Sequence, residues 1–79
     1  MDSKKTFGSN VRRIRKLRGF SQEELADRAH LHRTYVGGVE RGERNIGLEN
    51  IVAISTALGC SVGELFIAVN PKTLARDKR

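Results

Sequence analysis

Apolar residues recur along this chain at helical spacing, and nowhere do they alternate as a strand would. Phe7, Val11, Ile14 and Leu17 lie four, three and three residues apart, which predicts one face of a first helix ending near Gly19. Arg12, Arg13, Arg15, Lys16 and Arg18 take the other side, which is expected to be mostly solvated. Phe20 then returns to the core. Ser21-Gln22-Glu23-Glu24 is a capping box, in which the Ser21 hydroxyl accepts from the Glu24 backbone N–H and the Glu24 side chain reaches back. It opens a second helix with Leu25, Ala26 and Ala29 as its buried stripe; the two alanines let a crossing helix approach closely.

Leu31 plugs the turn that follows, and His32 is the expected N-cap of a third helix. Its inner face is Val36 and Val39, and Gly42 stops it. Gly37 and Gly38 sit inside that helix at a cost of about 1 kcal/mol each relative to Ala, so each needs a steric reason. Close approach to a ligand suits Gly37, and tight helix packing suits Gly38. Arg44, Asn45 and Ile46 form a loop, and Gly47 precedes a fourth helix striped by Leu48, Ile51, Ile54, Ser55 and Leu58. Gly59 ends it as a left-handed C′ residue. Ser61, with Glu64 three residues on, begins a fifth helix in which Val62 and Leu65 fill the core. Phe66, Ile67 and Val69 exceed what one face of a short helix buries, and Pro71 discourages continuation. The expectation is an all-α fold of five helices: one domain over residues 1–69, whose last helix dimerises, and a basic, flexible tail over 70–79.

Charge divides the chain. Residues 1–47 carry eleven basic and six acidic groups, net +5; residues 48–69 carry only Glu49 and Glu64, net −2; residues 70–79 carry four basic groups and Asp77, net +3. A basic half beside a nearly neutral apolar half suggests polyanion binding and self-association as two separate jobs. Seventy-nine residues build a core worth only about 3–5 kcal/mol, so dimerisation would help. Cys60 is the only cysteine, which rules out an intrachain disulfide and fits a reducing cytoplasm. No apolar h-region marks a signal peptide, and no apolar run approaches the ~20 residues of a membrane span.

The chemistry concentrates in residues 21–45, two short helices separated by a tight turn. A short helix with long polar side chains in its first turn, braced by the helix before it, can enter the DNA major groove. Arg33 is the main candidate to read a base, since an arginine can make two bonds to guanine O6 and N7. Its place at a helix start is electrostatically poor for a cation, which argues for a task there. Thr34 could touch a thymine methyl or a phosphate. Tyr35, the only tyrosine, either reaches DNA or packs on helix four. Glu40 is expected to hold a basic residue, paired with Arg41. Arg41, Arg44 and Asn45 should meet the phosphate backbone, Arg44 also reaching toward a groove.

These residues resemble a known family. Ser21-Gln-Glu-Glu-Leu-Ala26, Val36-Gly-Gly-Val-Glu-Arg-Gly-Glu-Arg-Asn45 and Ala57-Leu-Gly-Cys-Ser-Val-Gly-Glu-Leu65 look like the XRE family. These are helix-turn-helix regulators with the fold of the phage lambda and 434 repressor DNA-binding domains. The resemblance spans about residues 7–67. Arg33-Thr34-Tyr35 followed by Glu40-Arg-Gly-Glu-Arg-Asn45 is similar to restriction–modification controller proteins, short dimers that bind operators upstream of their own and an endonuclease gene. The resemblance implies that Gln22 binds a phosphate and braces the third helix. His32 is counted with the DNA-binding residues, and Arg12 or Arg18, on a helix behind the motif, could reach flanking phosphates. Two positions depart from the family: His30 stands where Gly is frequent, and Gly37 where Ser is frequent.

The expected partners are double-stranded DNA and a second copy of the chain, the latter through Phe66, Ile67 and Val69. Glu23, Glu24 and Asp27 permit, without requiring, a contact with RNA polymerase. His30 and His32 lie two apart with no supporting ligands, so neither a metal nor another cofactor is expected, and no nucleophile arrangement suggests an enzyme. Two alternatives remain: an antitoxin-like DNA binder with a protein partner, and a helical interaction module without DNA.

Overall fold

A computed structural model describes residues 2–68, and in it the four predicted helices are present: α1 (Ser3–Leu17), α2 (Gln22–Ala29), α3 (Arg33–Glu40) and α4 (Leu48–Leu58). The predicted fifth helix is a single 3-10 turn, Gly63–Phe66. The capping box foreseen there does form: Ser61 N–H donates to Glu64 Oε2 at 2.6 Å, and Glu64 N–H donates to Ser61 Oγ at 3.2 Å. The Ser61 backbone N–H holds the Glu64 carboxyl below its ordinary value. One turn is all the box nucleates, because short helices need continued packing to propagate. Val62, expected in the core, is exposed, whereas Leu65 is fully buried. Val69 and the segment 70–79 lie outside the described residues.

Each helix is started and stopped by local chemistry. The Asp2 carboxylate caps α1 by accepting from the N–H groups of Lys4 and Lys5 at 3.0 and 3.2 Å. Ser21 caps α2 as expected, at 3.0 Å to Glu24 N–H; the Glu24 carboxylate turns instead to Arg28 at 3.3 Å. His32 occupies the N-cap of α3 by backbone conformation alone, with no side-chain bond. After every helix comes one left-handed residue, at Gly19, His30, Gly42 and Gly59. At each, the next residue's N–H bonds back across the end, for example Leu31 to the Ala26 carbonyl at 2.8 Å and Cys60 to Ser55 at 3.0 Å. His30, at φ 60° and ψ 42°, is the non-glycine among them.

α1 packs on α3 and on the 3-10 turn, while α2 packs on α3 and α4. Phe7, Val11, Leu25, Val36, Val39, Ile54, Leu58 and Leu65 fill the space between. Leu17 and Leu48, both predicted inside, are 69 % and 74 % exposed. At about 100° per residue Leu17 lies roughly 80° round from Phe7, in the last turn of α1, where it lines an open cleft with Cys60 and Ile67. Leu48 is likewise on the shoulder of its stripe, in the first turn of α4.

The same arithmetic puts Gly8 and Arg15 on the opposite shoulder of α1, facing α3. Gly8 is buried where the two helices cross. A Cβ there would overlap the Val39 carbonyl oxygen and stand 2.7 Å from that of Glu40. On the other flank Asn10 is buried, donating to the carbonyls of Leu65 at 3.1 Å and Ile67 at 2.7 Å, which pins the C-terminal segment to α1. Among the described residues no helix is long and apolar enough to cross a membrane.

Two substitutions test these points by urea denaturation. Gly8→Ala meets backbone rather than yielding side chain, so it should cost at least about 3 kcal/mol, the upper end of ordinary overpacking. His30→Gly should raise stability by up to about 1 kcal/mol by relieving a left-handed side-chain residue.

Candidate nucleic-acid interface

α3 is set in place by a buried polar clamp at its C-terminal end. The Glu40 carboxylate accepts from Arg15 Nε at 2.6 Å and Nη2 at 3.1 Å, a two-pronged ion pair with side chains only 3 % and 11 % exposed. Arg15 also donates through Nη1 to the Phe20 carbonyl at 2.8 Å. Gln22 Nε2 donates to Glu40 Oε1 at 3.0 Å. One carboxylate therefore ties α3 to α1 and to the first turn of α2. Glu40 does hold a basic residue, but that residue is Arg15 and not Arg41. Arg15 is consequently buried, not solvated. Arg18 is also occupied: it caps the end of α4, donating to the Leu58 carbonyl at 2.8 Å. Arg13 donates to Asn10 Oδ1 at 3.1 Å.

With its far end held, α3 presents its first turn outward. His32, Arg33 and Thr34 are exposed, and among the described residues Arg33 forms no ion pair. A cation at the positive end of a helix is held there at an electrostatic cost that an incoming anion removes. Tyr35 is half-buried and bridges to α4, its hydroxyl accepting from Asn50 Nδ2 at 3.2 Å. Of the two roles open for Tyr35, packing on α4 is the one seen in the free chain. It also lies beside Arg44, whose guanidinium carbon is 5.5 Å from the ring centroid.

The paired glycines have separate physical reasons. A Cβ on Gly37 would stand 3.1 Å from Arg41 Nη1 and 3.4 Å from Gln22 Oε1. A Cβ on Gly38 would stand 3.0 Å from Arg44 Nε and 3.1 Å from its Cγ. The packing expected at Gly38 is thus with an arginine side chain and not with another helix. Each glycine leaves room for a cation to lie along α3. Arg41 also donates to Glu43 Oε2 at 3.1 Å, an exposed pair. Arg44 forms no ion pair among the described residues, and Asn45 is exposed beside it in the loop.

Gln22, Arg33, Thr34, Tyr35, Gly37, Arg41, Arg44 and Asn45 thus belong to one continuous stretch of structure: the start of α2, α3 and the loop after it. The residues that organise it, Arg15, Gly8 and Asn50, carried weaker sequence signals. Arg15 was one of five basic residues expected to be mostly solvated, and nothing in its local spacing marked the partner it finds on α3. Elsewhere, burial and then the Glu64 carboxylate push the Cys60 thiol above its ordinary value, toward the protonated and unreactive form.

A family model described as helix-turn-helix (HTH_3) matches residues 11–65. The control protein C.SmaI of Serratia marcescens is 46% identical over 65 residues, covering 82% of this chain and 77% of that protein. The control protein C.BamHI of Bacillus amyloliquefaciens is 50% identical over 60 residues, covering 75% and 74%. Among solved structures, the restriction-modification controller protein C.AhdI from Aeromonas hydrophila superposes with a TM-score of 0.77 at 50% identity, covering 78% of this chain and 94% of that one.

Breaking the clamp from one side should be severe. Glu40→Ala leaves Arg15 buried without its counter-charge and should cost about 3–5 kcal/mol in urea denaturation. Replacing both ends, Arg15→Leu with Glu40→Leu, should recover most of that loss, because apolar pairs of similar size often match buried ion pairs.

Proposed function

From the premise that this chain belongs to the HTH_3 helix-turn-helix family of XRE-type regulators, we propose that it is a sequence-specific DNA-binding regulator that grips a palindromic operator as a homodimer, in the manner of a restriction–modification controller. The observation that carries this reading is the first turn of α3: Arg33 and Thr34 exposed, with Arg33 in no ion pair among the described residues, on a helix locked from behind by Glu40. In this reading α3 enters the major groove and Arg33 reads a base edge, with Thr34 and Tyr35 beside it. His32, Gln22, Gly37, Arg41, Arg44 and Asn45 fix the register along the phosphates. Gln22 already has one amide proton engaged by Glu40, which orients the rest of its amide. Residues 1–69 then act as one DNA-binding domain, and no catalysis is assigned to it. Glu23 and Asp27, exposed on α2, and the partly exposed Glu24 leave a polymerase contact open to an activating member of this class.

Dimerisation is assigned to the C-terminal face. Phe66 and Ile67 are 41 % and 47 % exposed although Asn10 fixes the backbone that carries them. Phe66 stacks on Phe7 with ring centroids 5.1 Å apart, so its outer edge is presented rigidly. A two-fold axis beside them would bury the same residues on both copies, and Val69 would follow in the chain. Phe66→Ala should shift sedimentation toward monomer and weaken operator binding steeply. A wild-type chain still monomeric at high micromolar concentration would contradict the assignment.

Roughly three or four phosphate contacts per copy imply a slope of log affinity against log salt of about −5 to −7 for the dimer. A slope near zero would remove DNA from the reading. On an operator enriched from random duplexes, Arg33→Ala should cost about 1–3 kcal/mol per half-site and relax one symmetric base pair. Arg44→Ala should weaken all duplexes more evenly. Equal loss on operator and scrambled duplex for Arg33→Ala would move base reading to Thr34 or Tyr35.

A further inference from the structure

Gly38 poses a question that the clamp does not answer. It is buried in the middle of α3, where alanine would make a better helix. The atoms nearest to a Cβ at this position are all on Arg44, at 3.0 Å for Nε, 3.1 Å for Cγ and 3.6 Å for Cδ. No backbone crowds the site, in contrast to Gly8. The Arg44 guanidinium carbon also lies over the Tyr35 ring, 5.5 Å from its centroid. That ring is in turn anchored to α4 by the 3.2 Å bond from Asn50.

We infer that Gly38 is a positioning residue for DNA recognition: its missing side chain, together with the Asn50-anchored ring of Tyr35, forms a seat that holds Arg44 along α3. This rests on the DNA-binding reading above. The seat does two things. It fixes a long side chain that would otherwise surrender its rotamer freedom on binding, so the protein meets the duplex with that ordering already done. It also holds the guanidinium by a ring face and a notch, not by a carboxylate; among the described residues Arg44 has no ion pair, and its charge stays available to an anion. Arg41, by contrast, leans on Glu43.

The test combines binding with a measurement on the free protein. Gly38→Ala should melt at the wild-type temperature or above it, because the added Cβ meets only a displaceable side chain. Its affinity for the enriched operator should nevertheless fall about tenfold. In an Arg44→Ala background the same substitution should change affinity less than twofold. In the free protein, the Arg44 Nε proton should show an upfield ring-current displacement in NMR that Gly38→Ala and Tyr35→Leu each abolish. Wild-type affinity for Gly38→Ala, or an equal loss with and without Arg44, overturns the inference. So does an Arg44 proton that is not displaced in the wild type. Should Gly38→Ala fail to fold, Tyr35→Leu reads the seat from its other wall, and strict additivity with Arg44→Ala counts against it. A wild-type chain that selects no duplex defeats the DNA-binding reading instead, while the free-protein shift still decides whether the seat exists.

Discussion

The geometry of this protein turns on one carboxylate. Glu40 ends α3 inside the protein, and its charge is tolerable there only because Arg15 supplies two parallel donors and Gln22 a third. Removing ions from water is costly, and the pairing must be nearly complete to offset that cost. In return the arrangement is directional in a way that apolar packing is not. A planar guanidinium and a carboxylate meet in a fixed relative orientation. α3 is therefore not merely packed against α1; its roll and its distance from the start of α2 are set.

The clamp works because α1 and α3 cross closely, and that crossing depends on a missing side chain. Gly8 brings the α1 backbone against the Val39 and Glu40 carbonyls, just where the Glu40 side chain begins. Arg15, two turns along the same shoulder of α1, then reaches the carboxylate. The opposite end of α3 is left free of such constraints and faces outward with Arg33 and Thr34. One helix thus has a buried, polar, immobile end and an exposed, cationic end, which is the division of labour a groove-reading element needs. On the other flank of α1, Asn10 plays a related part by accounting for two carbonyls of the C-terminal segment, so that Phe66 and Ile67 are displayed on an ordered backbone.

Much of this was legible in the sequence where the signal was local. Ser21, Gly42 and Gly59 mark boundaries through cap and turn chemistry that depends on neighbours only a few residues away, and the helices they delimit were placed accordingly. His30 stands where the family frequently has Gly, and it adopts the left-handed conformation that such a position accommodates. What the sequence did not yield was long-range. Leu17 and Leu48 fit a helical stripe but sit on its shoulder and stay mostly exposed, a fact about tertiary packing and not periodicity. The last segment has a complete capping box yet only one turn of 3-10 helix, because a cap starts a helix and does not extend it. Arg15 read as one of five surface cations until a partner twenty-five residues away gave it a reason to be buried. The two glycines of α3 were recognised as costly, but the arginines that fill their space lie further along the chain.

The account's central claim is that the exposed first turn of α3, with the start of α2 and the loop after α3, is the surface that meets DNA. Mapping amide chemical-shift changes as an operator duplex is titrated into labelled protein tests this most directly. The expected result is a contiguous set of perturbed amides at Gln22, at Arg33 to Gly38 and at Arg41 to Asn45, with the face around Leu17 and Cys60 unmoved. Perturbations centred on Leu17, Arg18 and Cys60, with α3 silent, would contradict it.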